Sequence, residues 1–435
     1  VPCYLCPMIS ISQPLKIIFV LSTLWTTYNS LSAADLRYSD WVYRESIKTV
    51  ILSMRGTEGT PAAIELGSGE QLHLQFDDLD ASQKQLYYSF EHCNANWQPS
   101  GIMPTRAVQG LQQDLVQDFR YSFNTFVQYI HYDLVFPNDN MKFLISGNYL
   151  LKVYEDNDPE NLVLTRRFMV YSKKVPVGAT VLRPALMELR DTHQEIDAMA
   201  DISKMNIVNA AASTQLIILQ NQRWDNAINV KPFSINQTQI NYNYDDGSNC
   251  FDGLNDFRWA DIRSLRMNSD RVRRINRDTT PINVVLLNDP LRTFSEYQLL
   301  PEANGRYFIR NTEGNEPELD ADYARVEFRI PFDNPIKDRD LYLIGAFSDW
   351  QLKDEFKLRY KYASKMYTAS ILLKQGIYNY LYIFGPDKNG KTDAKLCEGS
   401  HFNTENDYTV LFYHRAYTNE FDELIGYTRL NSVQR

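Results

Sequence analysis

Glycine and proline are scarce, 18 of each in 435 residues, which excludes collagen-like repeats and long Gly- or Pro-rich linkers. Five cysteines are too few for a disulfide-built scaffold. Cys93, Cys250 and Cys397 are spaced too widely for a redox or zinc pair, and three reduced, partly buried thiols are expected there. The six histidines include no H-x-x-x-H or H-E-x-x-H pair. Gly67, Ser68 and Gly69 lack the G-x-S-x-G spacing of a nucleophile elbow. No catalytic group, metal site or cofactor site can be assigned, so the chain reads as a non-enzyme without a cofactor. Nor is there an excess of basic charge: 45 Lys and Arg stand against 54 Asp and Glu, a net −9 that argues against nucleic acid as partner.

No apolar run reaches transmembrane length either. The longest begins after Lys16 and covers Ile17 to Leu21, then Leu24 and Trp25, before Thr26, Thr27 and Asn29 interrupt it. A lone positive charge, a short apolar stretch and the small residues Ser32, Ala33 and Ala34 read as a secretory signal over residues 1–34, cleaved before Asp35. Cys3 and Cys6 precede the run and would leave with it. The expected compartment is the periplasm.

What the chain does have is aromatics: 28 Tyr, 22 Phe and 6 Trp, residues that favour strands. Strict alternation recurs. Leu72, Leu74 and Phe76 share one face with Gln71, His73 and Gln75 on the other, and Val326, Phe328 and Ile330 oppose Arg325, Glu327 and Arg329. Further strands are expected at 47–54, 87–92, 131–136, 149–154, 165–171, 215–219, 240–244 and 282–287. The best helical stretches, 111–119 and 185–193, are too short to build layers. Turn-rich stretches at 172–184 and 311–322 mark boundaries. The fold class is therefore all-β: tandem immunoglobulin-like β-sandwich domains over 35–175, 176–315 and 324–435.

The acidic groups Asp77, Asp78, Asp80 and Glu155, Asp156, Asp158 follow strands without calcium-loop spacing, and solvated turns are expected. The same holds for Asp245 to Asn249. Seven arginines between Arg258 and Arg277 are interleaved with Asp256, Asp261, Asp270 and Asp278, as in a charged sheet face or domain interface.

Near the C-terminus, Gly345, Phe347 and Trp350 end a strand as G-x-F-x-x-W, and a later hairpin runs from Gly376 to Phe384. This resembles the immunoglobulin-like modules that bind glycogen and starch. Leu381 stands where those binders carry Lys and no second Trp follows, so a structural use of the fold is favoured. A periplasmic or surface carbohydrate-binding protein using Trp350 is the alternative.

Longer strings resemble a second family across the whole mature chain. They include Ile64 to Leu72 with Phe76 to Asp80, Arg120 to Thr125, Ser146 to Tyr154 running on to Arg166 to Val170, Asp191 to Gln194, Asn221 to Ala227, Asn255 to Leu265 and Glu420 to Tyr427. By these the chain is similar to the plug proteins of the type IX secretion system of Bacteroidetes. The resemblance implies a periplasmic protein, monomeric within a hetero-complex, that closes the inner mouth of the outer-membrane translocon barrel when idle and leaves for cargo export. It carries over no catalytic residues. Arg and Tyr are favoured at interfaces, so Arg258, Trp259 and Arg263, with Tyr417, Phe421 and Tyr427 of the tail, are the candidate partner-binding residues.

Overall fold

A computed structural model describes residues 35–300 and 302–433, so the expected signal segment lies outside the described residues. Ala34–Arg435 forms one compact unit. The protein is all-β, and its sheets stack in pairs.

The first pair is built by the segment with the clearest period-two pattern. Ile47–Met54, Leu72–Asp78, Ile130–Phe136 and Asp118–Tyr121 form one sheet in that order. Its partner runs Trp41–Val42, Leu162–Tyr171, Gly147–Glu155, Leu86–Cys93 and Gln113–Leu115, with Ala63–Glu65 parallel to Leu162–Tyr171. Leu72, Leu74 and Phe76 are fully buried and share one core with Tyr88, Phe90, Leu151 and Val153. The alternation that predicts this strand puts its apolar residues on the inner face.

The second pair stacks Val177–Leu182, His193–Asp201, Gln239–Tyr242 and Ser234–Ile235 on Ile228–Val230, Thr214–Gln220, Asp407–His414 and Glu423–Asn431. Its core joins Ile196, Leu216, Ile218, Val410 and Phe412. The remaining strands form a nine-stranded array in which Gly376–Phe384 pairs with Arg258–Asp261, Tyr307–Ile309 and Leu341–Ile344.

Pairing crosses the boundary expected at 315–324. Thr214–Gln220 is antiparallel to Asp407–His414, Arg258–Asp261 to Gly376–Phe384, and Ile282–Leu286 is parallel to Tyr323–Pro331. Composition marks exposed connections, whereas strand partners are chosen by long-range burial that local composition does not encode. The polar stretch 311–322 is itself docked: Leu319 and Ala321 are buried, and the Leu319 carbonyl accepts the Phe123 N–H. Neither helical stretch forms a helix of its length. Residues 111–119 hold the strand Gln113–Leu115, and 185–193 hold one 3-10 turn, Met187–Leu189.

Candidate interaction surface and the buried lock between sandwiches

The six partner-binding candidates divide by burial. Arg258 is only 5% exposed. Its Nε donates to both Glu398 oxygens, at 3.1 and 3.0 Å, and its Nη2 to the Pro290 carbonyl at 2.8 Å. Asp289 lies 3.4 Å from Nη1 and also takes Arg271 at 2.6 Å and the Tyr382 hydroxyl at 2.7 Å. Burial works against the Arg258 charge, but Glu398 and Asp289 outweigh it and hold the guanidinium above its ordinary range. This arginine knits the nine-stranded array and presents nothing to solvent. Its strand alternates, so Trp259 is half-buried beside the Arg271 guanidinium, 5.8 Å from the ring centre. Arg263 is partly exposed and bonds Asp261 through Nε and Nη2, at 3.0 and 2.7 Å. Arg266, Arg273, Arg274 and Arg277 supply the exposed positive charge of the run.

The tail splits the same way. Tyr417, at the tip of the hairpin between Asp407–His414 and Glu423–Asn431, is 100% exposed. Phe421 is buried with its ring 5.3 Å from His92. Tyr427 stacks on Tyr171 at 4.3 Å. Asp422 accepts the Ala95 N–H at 3.0 Å and Arg415 Nε at 2.8 Å. The hairpin is therefore docked on the first sandwich, with its tip free.

Trp350 offers no open aromatic platform. It is half-buried, with Phe257 at 5.7 Å and the Arg223 guanidinium 4.8 Å from its ring centre. Gly305 (φ +79°) lets the indole approach this closely: a Cβ there would lie 2.2 Å from Trp350 Cη2.

The expectation of a solvated turn at Asp77 and Asp78 fails, since both carboxylates are fully buried. Asp77 Oδ2 accepts Lys374 Nζ at 2.7 Å and the Tyr323 hydroxyl at 2.6 Å, and Oδ1 lies 2.7 Å from His131 Nδ1. The Lys374 ammonium also sits 4.1 Å from the Tyr129 ring centre and donates to the Glu318 carbonyl at 2.7 Å. Burial pushes the Asp77 carboxyl up, but Lys374 and His131 outweigh it and hold it below its usual range. Burial likewise opposes the His131 cation, yet Asp133 and Asp77 outweigh it and raise the imidazole to about 9. Four side chains from the first sandwich and the nine-stranded array thus form one charged, water-poor lock. The period-two pattern could have found only its neighbour: Leu72, Leu74, Phe76 and Asp78 share the inward register, so Asp78 was due to be buried, and Lys84 neutralises it at 2.7 Å.

Cys93 and Cys397 are buried and Cys250 partly so, all three free. Burial pushes Cys93 and Cys250 up to about 12, away from the reactive thiolate. Among the described residues no group of three or more His, Cys, Asp or Glu is placed to hold a metal ion. Among the same residues no helix is long and apolar enough to cross a membrane.

The family model described as "Type 9 secretion system plug protein 1st domain" matches residues 47–172, which is the first sandwich. A solved structure, described as the crystal structure of a hypothetical protein from Parabacteroides merdae ATCC 43184, superposes with a TM-score of 0.87 at 31% identity. The match covers 91% of this chain and 100% of that one. No curated protein matches the chain.

Proposed function

We propose that this chain, which belongs to the type IX secretion system plug protein family, is a periplasmic plug that occludes the inner mouth of the outer-membrane translocon barrel when idle and is released for cargo export. A barrel wide enough for folded cargo leaks when empty, because its diameter grows with strand number. Closing it takes a body that keeps its shape under load and leaves again. The observation that carries this reading is the cross-bracing of residues 34–435: strands of each later segment complete the other's sheets, and the Asp77 to Lys374 lock ties them to the first sandwich. A polar, reversible contact suits the surface, where the fully exposed Tyr417 and Phe294 stand on separate loops. Tyr417, Trp259 and Arg263 are the barrel-facing candidates that remain accessible.

The test is a pull-down with the tagged chain from solubilised outer membrane, followed by a leak assay on liposomes carrying the recovered barrel. Occlusion requires that the barrel co-purify and that added protein reduce the leak. A barrel that neither binds nor is sealed by the protein would overturn the reading.

A further inference from the structure

The string Arg120 to Thr125 opens the turn that joins Asp118–Tyr121 to Ile130–Phe136 in the first sandwich. Tyr121, Phe123 and Phe126 on it are 57%, 42% and 69% exposed. A single exposed ring is ordinary on a protein surface, but three within the span 121–126 make a patch of the kind that meets a partner. The turn is also held in one shape. Ser122 N–H donates to the Tyr129 carbonyl at 3.0 Å, and Tyr129 N–H donates to Ser122 Oγ at 2.9 Å. Phe123 N–H donates to the Leu319 carbonyl at 3.1 Å. Asp322, itself buried, accepts Phe126 N–H on Oδ2 at 2.7 Å and Val127 N–H on Oδ1 at 3.0 Å, from 196 and 195 residues further along the chain. Beneath the turn the buried Tyr129 hydroxyl donates to the Ala321 carbonyl at 2.9 Å. A surface turn braced in this way loses little freedom when it is bound.

The bracing segment also sets the charge beside the rings. Glu316, Glu318, Asp320 and Asp322 lie in it, and among the described residues Arg120 is the one ion-pair partner of the four, 3.8 Å from Glu316 and 2.6 Å from Glu318. Arg120 is shared with Asp133 at 3.6 Å. Lys374, the other cation near this segment, is committed to Asp77. Glu316 and Glu318 keep about half of each side chain in solvent, 58% and 48%. Aromatic faces and carboxylates both attract cations, so this surface draws Lys and Arg through two kinds of contact. It repels the phosphates of a lipid headgroup or a nucleic acid. Covering the rings takes apolar side chains as well, which a free cation lacks and a polypeptide supplies.

We propose that the turn from Tyr121 to Phe126 docks a basic segment of polypeptide, whose apolar side chains cover the three rings and whose Lys or Arg side chains pair with Glu316 and Glu318. The site stands independently of the occlusion reading, since it rests on the turn and its acidic flank alone.

The purified chain is titrated against a fluorescein-labelled dodecapeptide of alternating Lys and Leu, against the same peptide with Glu for Lys, and against vesicles of phosphatidylethanolamine and phosphatidylglycerol. Anisotropy reads the peptides, co-sedimentation reads the vesicles, and backbone hydrogen exchange locates the contact. The Lys peptide is expected to bind saturably, to bind more weakly as salt is added, and to slow exchange within 121–128. Phe123→Ser combined with Phe126→Ser should weaken it about tenfold, as for aromatic anchors of an interface. Glu316→Gln combined with Glu318→Gln keeps the shape and removes the charge, and should also weaken it about tenfold at low salt. Both variants change exposed side chains, and circular dichroism verifies their folding. No saturable binding of the Lys peptide, equal binding of the Glu peptide, or unaltered affinity in either variant would overturn the proposal. So would vesicle binding that is lost in the phenylalanine variant, which would identify a lipid surface as the occupant.

Discussion

Lys374 Nζ lies 2.7 Å from Asp77 Oδ2, and the two side chains, 297 positions apart in the chain, are 1% and 0% exposed. A buried ion pair gains little over apolar packing, but leaving one partner alone is costly. The pair therefore acts less as glue than as a register pin: a packing of the first sandwich on the nine-stranded array that separates the two groups would bury a lone charge.

Lys374→Met should destabilise the protein by about 3 kcal/mol, because it removes the ammonium from Asp77 Oδ2 and leaves only His131 and the Tyr323 hydroxyl to offset the burial of that carboxylate. Asp77→Leu combined with Lys374→Met should recover part of that loss. Urea unfolding of the three proteins measures both effects. Additive losses in the double variant would show that the two charges act separately.

His131 makes the same lock pH-dependent. Its folded pKa is raised to about 9 from 6.5, so its contribution is fully present below pH 6.5 and is lost as pH rises through 9. The expected loss across that window is on the order of 3 kcal/mol. His131→Gln should flatten the stability profile between those limits. A wild-type curve that is already flat there would contradict a charged His131.

The strands were legible because period two survives in single segments: Leu72, Leu74 and Phe76 face inward as the pattern requires. The pattern says which face a side chain takes and nothing about what covers the other face. Asp77 falls on the outer face of its strand and read as solvated, yet Lys374, Tyr323 and His131 enclose it. Arg258 was misleading for the same reason. Its local neighbours Asp256 and Asp261 suggested a charged sheet face or domain interface built on nearby charges, whereas its partners Asp289 and Glu398 come from 31 and 140 residues further on.

Glu302 offers a gain rather than a loss. Burial raises its carboxyl to about 8, and Oε1 has no hydrogen-bond partner among the described residues. A carboxyl whose folded pKa lies above the unfolded 4.5 supports stability below pH 4.5 and loses that support as pH rises through 8. Glu302→Gln should match wild type at pH 4.5 and exceed it at pH 8.5 by on the order of 5 kcal/mol. Thermal unfolding at the two pH values decides it, and an equal gap at both would rule out titration as the cause.

Gly305→Ala tests the seat of Trp350. The new Cβ meets Trp350 Cη2 at 2.2 Å on a backbone at φ +79°, so packing and backbone strain add. A loss of about 2 kcal/mol is expected, with a change in tryptophan emission as the indole is displaced. Unchanged emission and stability would mean that the loop carrying Gly305 yields freely.

The arginine and tyrosine candidates separate stability from recognition. Arg258→Ala leaves Glu398 with Arg292, at 2.5 Å, as its remaining ion-pair partner and Asp289 with Arg271. It should cost about 3 kcal/mol and alter barrel binding only as far as the protein unfolds. Tyr417 touches solvent on every side, so Tyr417→Ala should change stability by less than about 0.5 kcal/mol. If the hairpin tip meets the barrel, the same variant weakens co-purification of the barrel by about tenfold, the effect of an aromatic side chain at the centre of an interface. Full recovery of the barrel with Tyr417→Ala would move the contact off the tail and onto the exposed arginines, Arg266, Arg273 and Arg274, where binding would weaken steeply with salt.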